Sequence, residues 1–303
     1  MANGALYIIT QDARYVDLLL TSAASLKRAM PDLPITVFSQ FPVESPLFEK
    51  VVRVEATKDG FYDKSKVIQN SPYDRTLFID ADTYVVEPVP ELFSLLDRFD
   101  CAATHEEYLS TDWHNRYPRP DIPSSFPEFN TGVLMLKRSD KLSRMLEQWG
   151  SLYRQYLEEK PGQPINDQPF FRIAAYCADV RIATLTREYN CKFRGQGYLN
   201  GRVKIIHGHV GLKLDLAFVN KAVKALNASE KPRVYVAGKV YEQNLVGRFV
   251  DRRRARRVGS FPLLPEPGLW AEAKRLRQII KERGTSNIVR RYLRQSSGGW
   301  DRE

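Results

Sequence analysis

The sequence predicts a doubly wound α/β domain, a mixed sheet flanked by helices, followed by a basic helical tail. Three observations lead there. Short apolar runs alternate with segments of helical period over most of the chain. One of those runs stops at a pair of acids. The charge is also divided. Of a net +10, residues 248–303 carry 15 Lys/Arg against 6 Asp/Glu, a net of +9, so residues 1–247 are near neutral. The chain therefore divides into an α/β body, 1–247, and a basic, partly helical extension, 248–303. With 43% hydrophobic residues it can bury a sizeable core.

The elements follow in order. Leu6-Tyr7-Ile8-Ile9 is a short apolar run of the kind buried in a parallel sheet. A helix should occupy 15–30, because Val16, Leu19, Leu20, Ala23 and Leu26 share one face, and Pro31 and Pro34 end it. Strands are expected at 35–38 and 51–54, a short helix at 64–70 and a strand at 76–79. That strand runs into Asp80-Ala81-Asp82. Val133-Leu134-Met135-Leu136 is a further strand. A long helix should span 141–157, with Leu142, Met145, Leu146, Trp149 and Tyr153 on one side. Another should begin near Asn166, and a late strand, 203–206, should end at His207. Between Tyr108 and Phe129 lies a proline-stiffened stretch too long for a plain connection.

The chemistry concentrates at the ends of these runs. A chain this long contains about one Asp-X-Asp by chance, so position decides. Asp80 and Asp82 lie at a strand's carboxyl end, where open α/β sheets bind ligands. Two carboxylates there can reach one divalent cation, which would bridge the phosphates of a nucleotide diphosphate. His207 also ends a strand, and an imidazole beside two carboxylates suits Mn²⁺ better than Ca²⁺. His209 would share its face in an extended segment. Asn130, before Thr131-Gly132, can turn its amide toward a sugar hydroxyl or simply shape the strand's entry. Asn166 and Asp167 fit a helix N-cap, which leaves Gln168 unexplained. Lys64, Lys66 and Lys213 could neutralise a diphosphate, or be ordinary solvated lysines.

In this order the segments resemble glycosyltransferase family 8, the retaining enzymes that include glycogenin and the bacterial lipopolysaccharide galactosyltransferases, over roughly residues 6–213. Ile8-Ile9-Thr10-Gln11-Asp12-Ala13 is similar to the family's opening strand and nucleotide-contacting turn. Arg75-Thr-Leu-Phe-Ile-Asp-Ala-Asp-Thr83 is similar to its metal-binding strand. Phe129-Asn-Thr-Gly-Val133, Asp167-Gln168 and Lys204-Ile-Ile-His207 are similar to three further motifs. The resemblance implies a GT-A fold, a Rossmann-like sheet, with a UDP-sugar donor and Mn²⁺ or Mg²⁺ held by Asp80, Asp82 and His207, His207 being preferred over His209. It implies that Thr10, Gln11 and Tyr15 hold the uridine, and that the Ala81 backbone approaches the ribose. Lys64 and Lys213 would meet the diphosphate and Asn130 the donor sugar, with Asp167 and Gln168 at the reacting carbon. Because an amide is a poor nucleophile, acceptor attack on the leaving-group side is favoured over a covalent adduct.

The acceptor is not legible. Phe126, Glu128 and the cluster Trp113, His114, Arg116 and Tyr117 could form its mouth, or a rigid surface loop. Two rival classes are a nucleotidyltransferase of related fold and a non-catalytic binding protein acting through the tail. The first would carry a glycine-rich basic loop where Thr10–Tyr15 has none. Three cysteines with no metal or redox spacing fit a reducing, cytoplasmic compartment. The start, residues 1–10, lacks the basic region of a secretory signal. The tail fits a solvated extension or an anionic membrane surface, with Trp270, Leu276 and Ile279 dipping in. Nucleic acid is the least favoured partner.

Overall fold

The structure is a computed structural model, and it describes residues 1–57, 59–106, 117–163, 165–208 and 215–243, with the backbone of 249–251. The chain separates into two units, Met1–Arg256 and Arg257–Glu303. All that follows concerns the first. The tail beyond Asp251, and Trp113, His114, Arg116, His209 and Lys213, lie outside the described residues.

The body is the expected α/β assembly. Its main sheet has seven strands in the order β3-β2-β1-β4-β7-β6-β8. These are β1 (Asn3–Ile9), β2 (Ile35–Ser39), β3 (Lys50–Arg53), β4 (Arg75–Ile79), β6 (Cys101–His105), β7 (Phe129–Lys137) and β8 (Ile182–Leu185). β1, β2, β3 and β4 run parallel, β7 runs antiparallel to both β4 and β6, and β8 is parallel to β6. Alternate residues face opposite sides of a strand. Accordingly Leu77, Ile79, Val133 and Met135 enter a core beneath one face, with Leu18, Leu19 and Leu26 of helix α1 (Tyr15–Ala29). Phe78, Leu134 and Leu136 enter the other, with Met145, Trp149 and Tyr153 of α4 (Asp140–Glu159) and Phe170 and Phe171 of α5 (Gln168–Cys177). The strand runs are apolar throughout because both faces are covered.

Two smaller sheets complete the body. Strand β5 (Thr83–Val85) pairs antiparallel with β10 (Ile205–His207). Strands β9 (Gln196–Leu199), β11 (Arg233–Val236), β12 (Lys239–Gln243) and β13 (Phe249–Asp251) form the other, over a cluster that includes Val219 and Ala222 of α6 (Leu216–Leu226). The short α3 spans Glu91–Leu95.

The structure departs from the sequence reading in two elements. Helix α2 runs Gly60–Val67, with a 3₁₀ turn at Ile68–Asn70, and so begins earlier than expected. The cause is Asp59, whose carboxylate caps it by accepting from Phe61 N and Tyr62 N. The late strand starts at Ile205 rather than Val203. Among the described residues no helix is long and apolar enough to cross a membrane.

Candidate active site

The site forms where β4, β7 and the β5–β10 pair meet. β4 ends at Ile79, and the next turn is tied down locally: Thr83 donates to the Asp80 carbonyl from its N–H (3.2 Å) and its hydroxyl (2.7 Å). Asp80 N–H donates to Gly132 O of β7 at 2.8 Å. Pairing of β5 with β10 sets His207 opposite Thr83, and Gly208 N–H donates to Asp82 O at 3.1 Å. A residue more than a hundred positions away thus lands beside the two acids.

Asp80, Asp82 and His207 can each offer one ligand atom within 4.8 Å of the others. His207 Nε2 lies 3.3 Å from Asp82 Oδ1 and 3.9 Å from Asp80 Oδ2. Gly132 makes this approach possible. A Cβ there would stand 2.2 Å from His207 Cε1 and 2.9 Å from Asp80 Oδ2. The small residue of the Asn-Thr-Gly segment is a space requirement as well as a strand entry.

The direction of the imidazole follows from a chain of bonds that begins on the backbone. Gly132 N–H can only donate, and it donates to Asn130 Oδ1 at 3.0 Å. Asn190 Nδ2 donates to the same oxygen at 2.8 Å, so Asn190 turns its Oδ1 to His207 Nδ1, 2.8 Å away. That oxygen only accepts. Nδ1 therefore carries a proton, and Nε2 faces Asp80 and Asp82. Burial disfavours a second proton on the ring, but the charge of Asp82, its hydrogen bond and the charge of Asp80 more than offset this and raise the imidazole, so Nε2 stands where a cation would take that proton's place. Two carboxylates and an imidazole oriented this way fit a divalent cation of the Mn²⁺ or Mg²⁺ type.

Lys64 and Asp167 adjoin the acids. The buried Lys64 Nζ lies 3.4 Å from both Asp80 Oδ1 and Asp167 Oδ2, and donates to Thr131 Oγ1 at 3.2 Å. Burial disfavours its charge, but Asp167 and Asp80 more than offset this, so the ammonium is held above its ordinary range. Burial pushes the Asp80 carboxyl up, Lys64 opposes, and the charge of Asp82 adds to the rise. Asp167 is also raised by burial, against the pull of Lys64. Its carboxylate does not cap α5. It accepts from Thr131 Oγ1 (3.0 and 3.1 Å), and Asn166 Oδ1 takes Gln168 N–H instead. Trp149 Nε1 holds the Asp167 carbonyl at 3.1 Å, and so fixes the approach to α5 from α4.

The remaining predicted residues are placed as follows. Thr10 is buried at the end of β1. Gln11, at φ 69°, spends its amide on Thr57 O (2.9 Å) and Asp63 Oδ2 (2.6 Å). Tyr15 is partly exposed at the start of α1, and burial together with the charges of Asp82, Asp12 and Asp80 raises the pKa of its hydroxyl. The Ala81 side chain is buried in the core below. Lys66 is exposed, a solvated lysine. Asn130 uses all four of its hydrogen bonds inside the protein: Gly132 N and Asn190 Nδ2 on its oxygen, Glu106 Oε2 (2.8 Å) and Gln168 Oε1 (3.1 Å) on its nitrogen. The acceptor-mouth reading does not hold for Glu128, which is 1% exposed against Gln168. Tyr117 is half-buried and packs its ring on Tyr156 and Phe170 at the margin of the core. Sequence reasoning did not find Glu106, Thr131, Asn190 or Lys192.

No protein-family model matches the chain, and no curated protein matches it in sequence. Solved structures to which it is similar include a galactosyltransferase, LgtC, in complex with donor and acceptor sugar analogs (14% identity, 61% of this chain and 74% of that chain, TM-score 0.44). Mouse xyloside xylosyltransferase 1 is another (17% identity, 70% of this chain and all of that chain, TM-score 0.48). A third is the glycosyltransferase GlyE of Streptococcus pneumoniae (19% identity, 64% and 47%, TM-score 0.42).

Two substitutions test the site without touching a ligand. Gly132→Ala should drive His207 off the acids, so calorimetric titration should find Mn²⁺ binding lost in a protein that still unfolds cooperatively. Asn190→Ala removes the acceptor for Nδ1–H and should weaken Mn²⁺ by roughly 10–100-fold, read by the paramagnetic resonance of free Mn²⁺. Wild-type affinity in Asn190→Ala would contradict the assigned tautomer.

Proposed function

We propose that this chain is a metal-dependent, retaining glycosyltransferase that moves a sugar from a UDP-sugar to an acceptor. The observation that carries the reading is the convergence of Asp80, Asp82 and His207, within 4.8 Å of one another at the end of β4, with Lys64 and Asp167 alongside. Neither motif position nor composition requires those five side chains to meet.

The cation, when bound, supplies electrostatic stabilisation to the diphosphate as it leaves. Asp80, Asp82 and His207 Nε2 hold it. Lys64, kept charged between two carboxylates, is a fixed cation beside the position where negative charge develops. Thr10, Gln11 and Tyr15 border the uridine, Tyr15 offering a ring and a hydroxyl, and the Ala81 backbone lies between the two acids where a ribose would approach. Lys213 keeps its proposed diphosphate role on the resemblance alone. For Asn130 the saturated hydrogen bonding favours a supporting role over direct contact with the sugar. Gln168 gives up both amide hydrogens to carboxylates, which leaves its oxygen facing Asn130. That supports attack by the acceptor on the leaving-group side, with Asp167 and Gln168 shaping the pocket.

The test is UDP release from a panel of UDP-sugars, with Mn²⁺ and with EDTA, in the absence of acceptor. One sugar should give metal-dependent release. Asp82→Ala should lower that release by on the order of 10²-fold or more. A folded Asp82→Ala protein with normal turnover would overturn the metal assignment.

A further inference from the structure

The metal site accounts for Asp80, Asp82 and His207, and Lys64 neutralises Asp167. It leaves a second acidic group unexplained. Glu106 and Glu128 are both nearly inaccessible to water, and both face the amide of Gln168.

The bonds can be assigned in one sense only. Gly132 N–H fixes Asn130 with its oxygen toward the backbone, so Asn130 presents its nitrogen to Gln168 Oε1 (3.1 Å). The Gln168 nitrogen then points the other way, donating to Glu106 Oε2 at 2.9 Å and Glu128 Oε1 at 3.0 Å. Both of its hydrogens are taken. Glu106 Oε2 also accepts from Asn130 Nδ2 (2.8 Å), and Lys192 Nζ donates to Glu106 Oε1 at 2.9 Å. Glu106 is thus a neutralised, multiply bonded carboxylate.

Glu128 differs. No cation lies within ion-pair distance of it among the described residues, and its Oε2 is buried without a hydrogen-bond partner there. The positive charge of Arg172 bears on it, but the guanidinium donates instead to Phe126 O and Pro123 O, both at 2.9 Å. An unpaired buried charge is costly. Burial, with Glu106 and Asp167 nearby and Gln168 and Arg172 opposing, raises the carboxyl to about 7. A neutral Glu128 still offers Gln168 the oxygen it needs.

We propose that Glu128 is a positioning residue, which together with Glu106 clamps the Gln168 amide in one orientation, its nitrogen on the two acids and its oxygen on Asn130. The role rests on the transferase reading above. The Glu-Phe-Asn run does this through β7: alternate residues share a face, so Glu128 and Asn130 reach the same amide from adjacent points. A side chain held within a fraction of an ångström is worth having where a reacting carbon must be placed.

Glu128→Leu and Glu128→Gln separate the clamp from simple packing. Leu leaves one Gln168 N–H unbonded. Gln restores an acceptor oxygen of the same shape. In the metal-dependent assay, Glu128→Leu should lower kcat by at least about tenfold, with UDP–Mn²⁺ affinity by calorimetry unchanged. Glu128→Gln should recover most of that loss. A readout independent of activity is a urea double-mutant cycle of Glu128→Leu with Gln168→Leu, which should be non-additive. Additive unfolding removes the clamp. Non-additive unfolding with wild-type kcat in Glu128→Leu removes the positioning role, as does an equal loss in both Glu128 variants. A wild-type protein that releases UDP from no donor sinks the transferase reading and this role with it, while the cycle still decides whether the clamp exists.

Discussion

The hydrogen bond from Gly132 N–H to Asn130 Oδ1 orients the polar interior of this protein. A backbone N–H has no alternative to donating, so it sets the Asn130 amide. Asn130 then sets two other groups: through Asn190 the imidazole of His207, and directly the amide of Gln168. Side chains from β7, β10 and α5, and from the segment between β8 and β9, are brought into one sense by a single fixed donor. Gly132 serves a second time through what it lacks, since the His207 ring occupies the space a side chain would need.

Around this frame the charges are arranged in pairs of opposite sign. Asp167 and Asp80 share Lys64, and Glu106 has Lys192. Asp80 and Asp82 share one lysine that Asp167 also claims, and they raise the proton affinity of His207 beside them; they sit at the more open edge of the cluster, their side chains 30% and 22% exposed. An excess of negative charge at an accessible edge is a place for a cation. The inner carboxylates are packed under Gln168, where bonding and protonation, not an ion, settle the charge.

Much of the fold is legible in the sequence because the central strands are covered on both faces and therefore read as continuous apolar runs. β1, β2, β4 and β7 are of this kind, and so is α4, whose Leu142, Met145, Trp149 and Tyr153 recur at helical spacing. β6 is not, since Cys101-Ala-Ala-Thr-His105 lacks large apolar residues, and β5 is only three residues long. In the late sheet, β9, β11 and β12 are short and largely half-buried, with weak patterning. At the site, Asp80, Asp82 and His207 are found because each follows an apolar run. Asn190 follows none: its value depends on standing opposite His207 and Asn130, a relation between segments that no local spacing records. Glu128 reads as a surface group from the prolines around it, yet it turns inward because α5 presents the Gln168 amide to receive it.

In the proposed function Asp80, Asp82 and the Nε2 of His207 hold a cation, the imidazole being oriented in advance by Asn190. Crystals grown with UDP and Mn²⁺, with diffraction recorded at the manganese edge, test it most directly. One anomalous peak is expected, bonded to a carboxylate oxygen of each acid and to His207 Nε2, with Nδ1 still on Asn190. A peak elsewhere, or His207 turned so that Nδ1 meets the ion, would contradict it.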